Sequence, residues 1–122
     1  MTKKLMVIDS SNGETVIPST IIRGLQIESP AADTYFFMLS SRVAFTINPL
    51  SIKTTAGPCT AKVQVNGVDV TGLTGIAVST TISEPTASGA NTVCVGNSVT
   101  LVVTSPSGDI KNLIPELSGV LT

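Results

Sequence analysis

The 122-residue chain contains no histidine and no tryptophan, and charged residues make up only 12% of it. Without histidine it lacks the commonest general base and the commonest metal ligand, so Ser-His-Asp and Cys-His catalysis are excluded. Aromatic residues are scarce, at 3%: Tyr35, Phe36, Phe37 and Phe45. All four fall in apolar stretches and read as core side chains, not as stacking platforms for bases or sugars. Long apolar runs are also missing. Leu5–Ile8 and Tyr35–Leu39 fall far short of the roughly 20 residues that cross a bilayer as a helix. Lys3 and Lys4 imitate the start of a secretory signal, but Asp9 ends the run that follows before the roughly 7 to 15 apolar residues a signal needs. Neither a membrane partner nor Sec export is expected. The seven basic residues are scattered and the net charge is -1, which gives nucleic acid no electrostatic footprint.

A charged fraction of 12% is about half the roughly 25% usual for soluble domains. The hydrophobic fraction is 42% and the mean hydropathy +0.43. A Ser/Thr-rich surface, polar but uncharged, is one explanation of this balance; burial of much of the surface against other chains is the other, and the one expected here. The two cysteines, Cys59 and Cys94, could pair only if their Cα atoms came within about 7 Å. In a reducing compartment they read as two small free thiols.

The carboxylates Asp9, Glu14, Glu28, Asp33, Asp69, Glu84, Asp109 and Glu116 almost all fall in or beside expected turns. A glycosidase pair drawn from them would need a separation of about 5 to 9.5 Å inside a cleft, which a small sheet protein seldom builds. Gly72-Leu73-Thr74-Gly75 lacks the lysine and the following helix of a phosphate loop. Asp69 and Asp109 have no Asp-x-Asp spacing for calcium. No catalytic, cofactor-binding or metal-binding residue is assigned, and the chain is read as a protein without enzymatic activity.

What the sequence does contain is β-structure. In Lys62–Val70, KVQVNGVDV, valines alternate with polar residues on both sides of Asn66-Gly67, a pair that accepts the positive φ angles of a type I′ turn. Folding there sets Val65 opposite Val68 and Gln64 opposite Asp69, with a dry valine face and a wet one. Tyr35–Ser40 reads as a strand buried on both faces. Val43, Phe45 and Ile47 alternate, and Leu50 and Ile52 continue that side past a bulge or bend at Asn48-Pro49. Ile76, Val78, Thr80 and Ile82 line a further strand. Val93 and Val95, then Gly96-Asn97, then Val99, Leu101 and Val103 read as a second hairpin, and Ile110–Leu121 as a last strand interrupted by Pro115.

From Tyr35 to Leu121 this gives about eight short strands with turn signals every 8 to 12 residues, the pattern of an all-β antiparallel sandwich of jelly-roll or Ig-like type. Residues 1–30 read as an N-terminal extended arm or extra strands, since Pro18, Gly24 and Pro30 break their apolar pattern. Leu5, Met6, Val7, Ile8, Val16 and Ile17 are the candidate interaction residues of that arm. Residues 31–122 form the sandwich domain.

The succession AKVQVNGVDVTGL, GIAVSTT and ANTVCVGNSVTLVV, within Ala61–Val103, resembles a β-module found in small structural proteins of tailed bacteriophages. The resemblance implies a virion component assembled in the host cytoplasm: a capsid decoration or cement protein, or a tail or fibre piece that binds a host receptor or glycan. It further implies a homotrimer whose partners are itself, the major capsid protein or other virion proteins. Asn66, Gly67, Gly72 and Gly96 match the module as turn formers and carry no chemistry.

Overall fold

A computed structural model of the chain describes residues 6–9, 13–16 and 20–122. The described residues form strands, turns and bends without a helix, so none crosses a membrane as one. β1 (Met6–Asp9) and β2 (Gly13–Val16) pair antiparallel as a separate two-stranded sheet. The other nine strands form two antiparallel sheets packed face to face. These strands are β3 (Thr20–Gly24), β4 (Thr34–Met38), β5 (Phe45–Lys53), β6 (Cys59–Val65), β7 (Val68–Asp69), β8 (Ile76–Val78), β9 (Thr92–Val93), β10 (Val99–Thr104) and β11 (Ile114–Leu121). The first sheet runs β4-β10-β6-β7, with β8 also on β6; the second runs β3-β11-β5-β9. The chain is thus an all-β sandwich, with eight strands between Thr34 and Leu121.

Alternation sets the two inner faces. Cys59, Ala61, Val63 and Val65 of β6 are buried, and so are Val99, Leu101 and Val103 of β10 beside them. From the second sheet Phe45, Ile47, Leu50, Ile52 and Leu117 complete one cluster, each buried aliphatic contributing about 1.5–3 kcal/mol. The buried parity of β5 switches between Ile47 and Leu50. There Leu117 pairs Leu50 and Gly119 pairs Ile47, so three residue steps of β5 face two of β11. The extra residue is the expected bulge at Asn48-Pro49, and Ser118 Oγ donates to the Pro49 carbonyl at 3.2 Å.

The Asn66-Gly67 hairpin has the expected register, Val65 with Val68 and Gln64 with Asp69, and positive φ at both turn residues. Its dry face stops short of the tip, where Val68 is 59% exposed.

Four other expectations are corrected. Tyr35–Ser40 is not a doubly buried strand: β4 is the edge of the first sheet, and Phe36 and Leu39 are exposed. Val93 and Val99 do not belong to one hairpin, because β9 joins the second sheet and β10 the first. The turn Cys94–Asn97, closed by Asn97 N–H to the Cys94 carbonyl at 3.0 Å, carries the chain from one sheet to the other. The strand at Ile76 ends at Val78, and Ile82 is exposed. The last strand is not interrupted at Pro115 but begins at Ile114. Pro115 accepts from Leu25 N–H at 3.0 Å, so its missing N–H would face the same side, just beyond the end of β3, where little ladder is lost.

Within residues 1–30, β3 is an edge strand of the second sheet with Ile21 buried. From Thr20 onward this segment is therefore sandwich and not arm. Of the candidate arm residues, Met6, Val7, Ile8 and Val16 lie on the β1–β2 ladder. Leu5 and Ile17 lie outside the described residues.

Candidate functional site

Three surfaces of the sandwich gather polar or exposed apolar groups. The first is its open side, where the edge strands β3 and β4 carry no further strand among the described residues. Asp33 and Val103 exchange both backbone hydrogen bonds, at 3.2 and 2.8 Å. Tyr35, paired with Leu101, then faces inward along the ladder, and Thr34 and Phe36 turn their N–H and C=O groups outward. Asp33 Oδ1 takes up the Thr34 N–H at 2.7 Å, which leaves the Phe36 pair open.

By the same alternation Thr20, Ile22 and Gly24 face outward on β3. There the Arg23 guanidinium donates to the Ile22 carbonyl at 2.9 Å, a charge that blunts the edge. Ile22 is 55%, Phe36 49% and Leu39 77% exposed. A shallow cavity of about 340 Å³ between the two edges is lined by Arg23, Met38, Leu39, Arg42 and Val43 among others. Its floor is held from below by Ser41, whose N–H donates to the Asn97 carbonyl and whose carbonyl accepts from Gly96 N–H, both at 2.7 Å. Ser41 Oγ donates to the Val43 carbonyl at 2.6 Å. Gly96, at φ 93, is the turn residue that makes this brace.

The second surface is a groove of about 300 Å³ on the second sheet, lined by Ser51, Lys53, Ile82, Glu84, Ile114 and Glu116 among others. It brings together two of the carboxylates considered in the sequence, Glu84 and Glu116. Glu84 accepts from Ser51 Oγ at 3.2 Å. The groove is open to solvent and offers no histidine or enclosed wall to tune a general acid or base.

The third surface joins two loops. Thr71 N–H donates to the Gly89 carbonyl at 2.9 Å and Ser88 N–H to the Thr71 carbonyl at 2.8 Å. The backbone at Gly72, at φ 94, lies hard against the Thr86 carbonyl. This contact is part of a longer seam. Ser83–Val93 runs along the outer edge of β5 through Ser83–Ile52, Pro85–Leu50, Ala87–Asn48 and Asn91–Ile47 backbone hydrogen bonds. The seam closes the side of the sandwich opposite β3 and β4.

The remaining polar residues are accounted for locally. At the hairpin, Asp69 lies 3.1 Å from Lys62 Nζ and accepts from Gln64 Nε2 at 2.8 Å. The Gln64 hydrogen bond and then Lys62 hold its carboxyl below the ordinary 3.8. Asn66 Oδ1 accepts from Ser98 N–H at 2.8 Å, tying the hairpin turn to the start of β10. Both cysteines are free, Cys59 buried and Cys94 exposed, and burial pushes the Cys59 thiol above its ordinary 9.0. Among the described residues no group of three or more Cys, Asp or Glu could hold a metal, and no buried side-chain polar atom lacks a partner.

Comparison with protein-family models gives no match, and comparison with curated proteins gives none. Sequence reasoning missed the open side, because a run such as Tyr35–Leu39 looks the same at an edge as at a centre. The uniformly apolar run Tyr35–Leu39 carried no signal of it.

Proposed function

We propose that this chain is a structural virion protein whose work is adhesion between protein subunits, as a capsid decoration or cement protein that bridges capsid subunits. The observation that carries this reading is the open side. Ile22, Phe36 and Leu39 are all exposed there beside two strand edges that carry no further strand among the described residues, on a scaffold with little charge to keep other chains away. Satisfied polar groups in the interior and carboxylates left in open surroundings support a binding role over a catalytic one. The β1–β2 hairpin, paired with neither sheet among the described residues, is available as a second contact to a neighbouring subunit. Partners on this reading are further copies of the chain and the major capsid protein.

The joined loops support a second reading, a tail or fibre module that recognises a host receptor or glycan. Thr71–Gly75 and Thr86–Ala90 form one surface at a rigid edge, the usual place for recognition loops. Large anchors are missing there, since no aromatic residue lies in either loop, and this favours the decoration role.

Peptide mass spectrometry of density-purified virions from the source culture tests the proposal. The chain is expected in the particle, at a copy number comparable to that of the major capsid protein for decoration and far lower for a tail or fibre piece. Its absence from purified virions would overturn both readings.

A further inference from the structure

The open edge of β4 carries a charge pattern that complements itself. At its beginning Asp33 is exposed, with one carboxylate oxygen engaged by Thr34 N–H. At its end Arg23 and Arg42 line the cavity beside Met38 and Leu39. The only ion pair among the described residues is Lys62–Asp69, so neither arginine is neutralised by a described carboxylate. Between the two ends Thr34–Met38 has no charge, proline or glycine; the regular pairing of Thr34, Tyr35 and Phe36 with β10 turns the Phe36 N–H and C=O outward just before the ladder's register shift at Phe37, and no other backbone hydrogen bond reaches them among the described residues. The neighbouring edge β3 is different, because Arg23 already occupies its Ile22 carbonyl.

We infer that β4 pairs antiparallel with β4 of a second copy of this chain, about a two-fold axis through Phe36. In that arrangement the two Phe36 residues exchange both backbone hydrogen bonds, and their half-exposed rings stand side by side on the outer face of one continuous sheet. Antiparallel alignment sets the Asp33 end of each strand against the arginine end of the other, twice over. A parallel alignment would place acid beside acid and arginine beside arginine. The contact is isologous, so it closes at two copies and leaves no open end for a filament. The pairing uses the same open side as the adhesion reading and so rests on it, with a second copy of this chain as the subunit bound; the joined loops, on the opposite side of the sandwich, stay free for other partners.

Native mass by light scattering on the full chain, from about 1 to 100 µM, tests it. The expected result is a dimer that Phe36→Lys converts to monomer, with the circular dichroism unchanged because the ring lies outside the core. Asp33→Arg should weaken the dimer about tenfold, and adding Arg42→Asp should restore it to within about threefold of the original. In hydrogen exchange the Phe36 amide should slow as concentration rises, a readout that needs no variant. A monomer at every concentration, a trimer, or a dimer indifferent to both Phe36→Lys and Asp33→Arg would overturn the inference. Because the virion proposal is tested on purified particles, the failure of either idea is distinguishable from that of the other.

Discussion

Gly119 of β11 lies so close to Thr46 of β5 that a Cβ atom on it would stand 2.5 Å from the Thr46 carbonyl oxygen and 2.8 Å from Phe45 Cδ2. Neither neighbour has room to yield, since one is backbone of a paired strand and the other a ring buried to 1% exposure. Gly119→Ala is therefore expected to destabilise the fold by about 1–3 kcal/mol through overpacking. Urea unfolding of the two proteins measures it, and an unchanged midpoint would show that the β5–β11 ladder can spread.

The glycines at positive φ separate strain from crowding. Gly72 and Gly96 have nearly the same φ, 94 and 93. A Cβ on Gly72 would collide with the Thr86 carbonyl, whereas one on Gly96 meets nothing within 4 Å. Gly96→Ala should cost about 1 kcal/mol, the conformational penalty alone. Gly72→Ala adds the collision and should cost roughly 1–3 kcal/mol more. Equal losses in thermal unfolding would mean that the Thr86–Ser88 loop moves aside freely.

Asp69 should carry a small, salt-sensitive share of stability that depends on acid. Its folded carboxyl titrates below 3.8 because the ionised form is held by Gln64 and Lys62. The contribution is therefore present above about pH 3.8 and is lost as pH falls through the lower folded value. The difference in unfolding midpoint between the native chain and Asp69→Asn should shrink toward zero below that pH. It should also shrink at high salt, because the group is exposed. NMR titration of the Asp69 carboxyl gives the sign directly.

The thiols should react in two separate steps. Cys94 is exposed on the turn between the sheets, and Cys59 is buried on β6 with its thiol kept protonated by burial. Mass spectrometry after brief alkylation at neutral pH is expected to find one modified thiol per native chain, on Cys94, and two after denaturation. Rapid native modification of Cys59 would show that the β6–β8 edge opens.

The parts of this fold legible in the sequence are those fixed by short-range chemistry. Asn66-Gly67 dictates both turn type and register, and the shift from Phe45 and Ile47 to Leu50 and Ile52 betrays the bulge at Asn48-Pro49. What was not legible depends on which strands become neighbours. Cys94–Asn97 looks like a hairpin turn because its local geometry is that of a β-turn, but its two arms enter different sheets and alternation along each arm is the same either way. Likewise Thr34–Met38 has the composition of an interior strand, and nothing in it tells that β4 lies at a sheet edge among the described residues or that the Phe36 ring falls on the outer face. The open side was hidden for this reason, whereas the joining of the Thr71–Gly75 and Thr86–Ala90 loops needed the seam along β5 to be seen.

The position of β10 has a consequence for biosynthesis. It is the strand that holds β4 and β6 together, and those two do not pair with each other. A ribosome making the chain from its N-terminus must therefore release β4 and β6 well before the strand that joins them exists. Through that interval the edges of β4 and β6 that β10 will cover are bare, and the first sheet closes only after Val99–Thr104 has been made. Whatever protects the nascent chain from its neighbours on a polysome has to act before Val99 emerges.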